Sequence, residues 1–440
     1  MSTVQLDRPV PVVAKTDGGV LHRVARLRRT SPGRLQLILA GLLTFGLLTG
    51  LVAGLTAAAA ATGTRDLGNR AQPLLVEAET IYSALADADT TAAQAFLAGG
   101  LEPTDLTRRY EDKLNQATTA LTSAARRTPE TGGSADAIRQ LSTDIPRYAA
   151  LVASARANNR QGLPIGAAYL SSASTLSRES LQPQAKKLFQ AAQSEVDDGY
   201  ADARSSWWTA LLVVLLLALL TALVLAQRYL SRSTHRTFNL PLLVATAVTL
   251  VLVLGVGGVL ISQRAHLSEA DTEGSWPVAL LAETRIAALR ERGDEALTLA
   301  ARSGEGDLET DFDETTAELN DLLADAGEIM PDGDAGTSVR SATAAHRAYV
   351  GVHDKVRELD NGGNYDGAVA LAIGKPTSDT FNGLTNDVGR ALENRKDVFS
   401  DQIGTAGRGL GLLTVLGPVL ALLVCGLAFA GIRARLEEYR

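Results

Sequence analysis

The sequence predicts an all-α integral membrane protein with four transmembrane helices and two extracytoplasmic four-helix bundles in tandem repeat. Three observations predict it. Four stretches are apolar over the roughly 20 residues of helix that cross a bilayer core, and none contains Asp, Glu, Lys, Arg or His. The chain is also one unit written twice. Pro73–Thr80 aligns with Pro277–Thr284 at a shift of 204, Asp105–Tyr110 with Asp307–Phe312 at 202, and Gly166–Leu170 with Gly367–Leu371 at 201, the trace of an internal duplication. Finally, Gly and Pro clusters cut each polar segment at three matching places, and strand-like alternation is absent.

The elements follow in order. Residues 1–34 form a tail with 7 basic and 2 acidic residues. The first span covers 35–61. A cleaved secretory signal is the alternative here, but its 27 residues are long for a signal core, and the repeat needs it as partner to the third span. The first bundle takes 62–206, the second span 207–226, a link 227–239, the third span 240–261, the second bundle 262–409, the fourth span 410–432 and a tail 433–440. The link carries Arg228, Arg232 and Arg236 without an acid. By the positive-inside rule, both tails and the link face the cytoplasm and the two long segments lie outside. Trp207 and Trp208 stand where an outer interfacial belt would want them.

Each outer segment should hold four helices. Leu74, Ala78, Ile81, Leu85, Ala88, Ala92 and Ala95 follow the 4-3 spacing of a bundle seam. Ala185, Phe189, Ala192, Val196, Gly199 and Ala203 do the same and reach Trp207 without a turn signal, which predicts one rod entering the membrane. Alanine buries little area at about 25 cal/mol per Å², so these seams are expected to slide or rotate at modest cost. Charge separates the copies: 15 basic and 17 acidic residues in 64–206, against 14 and 28 in 263–409. The acidic surplus reads either as a solvated surface or as a docking face for a basic partner or a weak cation site.

Within the spans, Gly46, Gly50 and Gly54 repeat every four residues, the spacing of a close helix–helix contact. Pro418 should kink the fourth span. Two crossings per copy relate the halves by a pseudo-twofold axis along the membrane normal.

No catalytic constellation, nucleotide loop or cofactor motif appears, so neither an enzyme nor a cofactor is expected. The lone Cys425 excludes a disulfide within the chain. His346 and His353 lie seven apart on one helix, two turns rather than one, which is not the spacing of a metal pair; they read as surface residues. The basic run from Arg23 to Arg34 beside a span suits anionic lipid and topology control better than nucleic acid. Arg228, Arg232, His235 and Arg236 are candidate contacts for a cytoplasmic partner, with topology alone as the other reading. Four uncharged spans argue against a transporter or channel subunit, and an envelope scaffold is the remaining alternative. Pairing of two chains into a homodimer stays open.

Each half resembles the outer sensor module of bacterial chemoreceptors and histidine kinases. In its length, four spans, paired outer helical segments and lack of a cytoplasmic output domain, the chain resembles the actinobacterial GlnX-type membrane proteins. That resemblance implies a transducer in the plasma membrane between an exported amino-acid-binding lipoprotein and a cytoplasmic Ser/Thr protein kinase. It carries no ligand residues over to this sequence.

Overall fold

The computed structural model describes residues 31–99, 102–129, 131–204, 207–234, 239–302 and 307–437, and no strand occurs among them. Two compact units emerge. A membrane unit comprises Met1–Ala58, Ser206–Val259 and Gly409–Arg440; a polar unit comprises Ala59–Ser205 and Leu260–Arg408.

In the first repeat, α1 (Ser31–Asp66) passes through a π-helical turn, Leu67–Ala71, into α2 (Gln72–Leu97), with α3 (Thr104–Arg127) and α4 (Gly133–Arg160) following. Next come α5 (Ile165–Leu176), a second π turn at Ser177–Leu181 and α6 (Gln182–Arg204). In the second repeat, α8 (Leu240–Glu269) passes through the π turn Ala270–Ser275 into α9 (Trp276–Ala301). After it come α10 (Asp307–Ile329), α11 (Gly333–Asn361), α12 (Tyr365–Ala372) and α13 (Lys375–Ala406). Between the repeats lies α7 (Trp207–Thr234), and α14 (Leu410–Glu437) ends the described chain.

The duplication is visible in backbone detail. Helices α4 and α11 stop at left-handed glycines, Gly162 (φ +68°) and Gly363 (φ +81°). Just past each, Leu163 N–H donates to Asn158 O at 3.0 Å and Asn364 N–H to Leu359 O at 2.8 Å. This is the bond pattern by which a Cβ-less residue closes a helix end. Pro73 and Pro277 stand directly after the π turns, in the first turns of α2 and α9, where a residue without an N–H leaves one bond of the helical ladder unmade. Tyr148 and Tyr349, then Tyr110 and Phe312, fill matching core positions.

The two bundles do not stand apart. One core combines Leu74, Ile81, Leu85, Tyr148 and Phe189 of the first repeat with Leu267, Ala282, Ile286, Phe399 and Ile403 of the second. Helices α2 and α9 lie at its centre and are buried on nearly every side. The alanine seams are buried as the spacing predicts, but they form part of a core larger than one bundle.

The membrane unit consists of α7, α14 and the span portions of α1 and α8. Its centre is built from Leu35, Leu42, Leu219, Leu223, Leu242, Val424 and Ile432, while Leu51, Val214, Val251 and Leu412 face outward. Gly46, Gly50 and Gly54 face α14. A Cβ on them would lie 2.5 Å from Cys425 Sγ, 2.7 Å from Ala421 Cβ and 3.0 Å from Pro418 Cγ, respectively. Gln227 Nε2 donates to Leu242 O (2.9 Å) and Thr246 Oγ1 (2.7 Å), and Asn239 Nδ2 to Gly431 O (2.9 Å). These amides tie α7 to α8 and the link to α14. Helix α14 continues through Pro418.

The expectation of one rod entering the membrane has two outcomes. In the first repeat the junction, residues 205–206, lies outside the described residues. In the second, Gly407–Gly409 separates α13 from α14, with Gly409 at φ +83°. Among the described residues, α1 (Ser31–Asp66) and α8 (Leu240–Glu269) are continuous helices.

Candidate functional site at the seam between the repeats

Burying α2 and α9 side by side takes their charged residues out of water, and each must then find a partner. On α2 these residues are Glu79, Asp87 and Asp89; on α9 they are Glu291, Arg292, Asp294 and Glu295, all buried. The helices touch where Thr90 Oγ1 donates to Leu289 O at 2.7 Å, beside Gly293. A Cβ at Gly293 would sit 3.3 Å from that hydroxyl, so the close approach depends on glycine.

Charged side chains also cross the seam. Arg178, in the second π turn, forms an ion pair with Asp294 and lies 3.8 Å from Asp311. Lys396 Nζ reaches Glu79 Oε2 at 2.9 Å. Arg109 donates Nε–H to Asp87 within its own repeat at 2.8 Å and Nη1–H to Asn382 of the other at 3.2 Å. The expectation that bundles slide at modest cost is corrected here, because alanine permits the approach but these links fix the register.

The second repeat adds a network of its own. Glu291 Oε1 accepts from Thr316 Oγ1 (2.6 Å) and lies 2.9 Å from His346 Nε2. Glu295 pairs with Arg292 and, at 2.8 Å, with His353 Nδ1. His353 stacks on Phe312 with centroids 3.6 Å apart, and Glu309 takes Arg357 at 3.0 Å. His346 and His353 are therefore core residues, 0% and 3% exposed, and the surface reading of them is wrong. The acidic partners on α9 and α10 draw both rings inward. No cluster able to hold a metal ion occurs among the described residues.

Electrostatics differ along the seam. Burial pushes the Asp294 carboxyl up to about 6, with Arg178 opposing the rise. Burial also raises Asp89, against hydrogen bonds from Tyr148 and Ser174 at 3.2 Å each. For Asp87, burial is outweighed by Arg109 and Lys113, and the carboxyl falls below its usual value. His353 loses basicity to burial but gains more from Glu295 and Glu309, and ends above its ordinary value.

Beside Arg178 lies a cavity of about 120 Å³, walled by Leu170, Ser174 and Thr175 of the first repeat and Leu297, Ala300 and Leu308 of the second. At about 30 Å³ per water it holds a few waters. It falls short of the roughly 300 Å³ at which drug-sized ligand sites begin.

Of the other candidates from the sequence, Arg228 and Arg232 are exposed near the end of α7. His235 and Arg236 lie outside the described residues, as do the basic run before residue 31 and the turn at Gly304–Gly306. Sequence reasoning missed Arg178, Lys396, Glu79 and the α9 carboxylates. One signal was available: charges embedded in helices whose neighbours are apolar all round.

Residues 63–201, from the end of α1 into α6, match the family described as Actinobacterial sensor domain. No curated protein and no solved structure matches the chain. The first repeat is thus similar to actinobacterial sensor domains, and among the described residues four helices are long and apolar enough to cross a membrane.

Proposed function

We propose that the chain is a plasma-membrane signal transducer with both ends and the α7–α8 link in the cytoplasm. Its polar unit reads an amino-acid signal, brought by an exported solute-binding lipoprotein, and its cytoplasmic segments act on a Ser/Thr protein kinase. The chain performs no chemistry of its own and its output is a contact. One observation carries the reading: the sensor domain shares a core with its duplicate, and the shared seam is held by a few directional polar links. A partner that binds the two repeats unequally shifts that seam between discrete registers, because interdigitated side chains do not deform continuously. The small cavity at Arg178 favours a protein partner over a large ligand bound directly.

The test uses the full chain in liposomes with Cys425→Ala as background. Thr90→Cys with Gly293→Cys reports on the seam, and Gly50→Cys with Ala421→Cys on the spans. Adding the binding lipoprotein with glutamate, aspartate or glutamine should change the cross-linking rate of both pairs. Rates that stay constant at saturating partner reject the proposal.

A further inference from the structure

In the membrane unit, α1 and α7 enclose a groove of about 700 Å³. Its floor is apolar, formed by Ile38, Gly41 and Phe45 of α1 and Leu225 of α7. Arg228 and Arg232 line its mouth, and Arg34 and Tyr229 line the adjoining hollow. All three arginines are exposed. No acidic residue occurs between Asp17 and Asp66, or between Arg204 and Glu269, so neither groove wall carries a carboxylate opposite Arg228 and Arg232.

The dimensions are those of one lipid leaflet. Phe45 lies eleven positions beyond Arg34, about 16 Å along a helix, against about 15 Å for half of a bilayer's hydrocarbon core. Arginines at one end and a leaflet's depth of apolar wall match a molecule with an anionic head and a long hydrocarbon tail. We propose that this groove is a binding site for an anionic phospholipid, its phosphate held by Arg228 and Arg232 and an acyl chain lying along Ile38, Gly41 and Leu225. Tyr229 sits at the level where amphipathic rings favour the interface.

Gly41 supplies the decisive variant. A Cβ there meets nothing within 4 Å, so Gly41→Trp fills the groove without touching the packed face of α1. The full chain is extracted from vesicles of equal phosphatidylglycerol and phosphatidylethanolamine, and retained lipid is counted by native mass spectrometry. The wild type should retain phosphatidylglycerol in excess. Arg228→Gln with Arg232→Gln should cut that excess roughly tenfold or more, as loss of two charge contacts implies. Gly41→Trp should abolish retention with all arginines present, and Leu225→Trp repeats the test from the other wall should Gly41→Trp fail to fold. Equal retention of both lipids by the wild type overturns the site. So does loss on removing the arginines without loss on filling the groove, which would place the lipid on a charged surface. Sensing by the polar unit is read separately, by the seam cross-links, so either proposal can fail alone.

Discussion

Lys396 and Glu79 offer the sharpest test that the repeats share a core. They belong to different repeats, 317 positions apart, and meet at 2.9 Å with side chains 12% and 2% exposed. Burial alone would lower the Lys396 ammonium, but Glu79 and then Glu393 hold it above its ordinary value, so the pair is ionic. Lys396→Met leaves a buried carboxylate whose other oxygen, Oε1, already lacks a hydrogen-bond partner. Breaking a buried pair in this way costs about 3–5 kcal/mol, or roughly 6–20 °C of melting temperature at about 2–4 °C per kcal/mol. Removing both charges as Glu79→Met/Lys396→Met takes away the unpaired charge, and the double variant should return to within about 1–2 kcal/mol of wild type. The difference is the coupling energy of a double-mutant cycle. Lys375→Met is the control, since Lys375 pairs with Asp379 at an exposed site and such pairs contribute little. The assay is thermal unfolding of the full chain in detergent, followed by far-ultraviolet circular dichroism. If the two single variants behave like the control and their effects add, the residues do not meet and the shared core is wrong.

Three further predictions concern the seam, the second repeat's histidine network and the spans. Arg178→Met should be strongly pH-dependent: small in effect at pH 5, where Asp294 is largely protonated, and destabilising by about 3 kcal/mol or more at pH 8, where a buried carboxylate is left unpaired; melting curves at the two pH values decide it. His353 binds its proton more tightly folded than unfolded, so its stabilisation is complete below about pH 6.5 and is lost as pH rises through the folded value; His353→Gln should flatten the fall in melting temperature between pH 6 and 9, and an unchanged slope refutes it. In the membrane unit, Gly50→Leu forces a Cβ to within 2.7 Å of Ala421 and should cost about 1–3 kcal/mol as overpacking, whereas Gly41→Ala should leave the melting temperature unchanged.

What the sequence reveals of this molecule follows from the range of the physics involved. Spans and turns are local: hydropathy marks Leu240 to Ile261 without reference to any neighbour, and Gly162 or Gly363 marks a helix end because only that residue's φ is at issue. The Gly46, Gly50 and Gly54 face is legible for the same reason, but its partner residues on α14 are not, since nothing local specifies them. His346 and His353 fail differently. The 4-3 rule that finds the α2 seam also runs Val339, Ala342, His346, Tyr349, His353, Val356 on α11, and all six are buried. Asking only whether two histidines could share a metal hid the fact that they occupy seam positions. Arg178 was not legible at all: a π turn adds a residue to the helix, and helical periodicity assigns its side chain the wrong direction.

The seam also explains why a duplication is useful only once it has become unequal. A strict repeat would build a twofold seam, and any preference on one side would be mirrored on the other. Here each link takes its cation from one repeat and its acceptor from the other: Arg178 to Asp294, Arg109 to Asn382, Lys396 to Glu79. The matching positions have diverged. Thr90 stands where the second repeat has Asp294, and Asp311 where the first has Arg109. Asp87 and Glu291 keep their carboxylates, yet one is held by Arg109 and Lys113 and the other by His346 and Thr316. The first carboxyl is held below its usual value by its two cations, whereas the second has a histidine and a hydroxyl as its neighbours. A seam of this kind has two unlike faces, and under the proposed function a partner that grips one face would move it in one direction. Two identical bundles would offer no such preference, so the charge divergence, from near balance in the first repeat to a large acidic surplus in the second, is the feature that the proposed transducer requires.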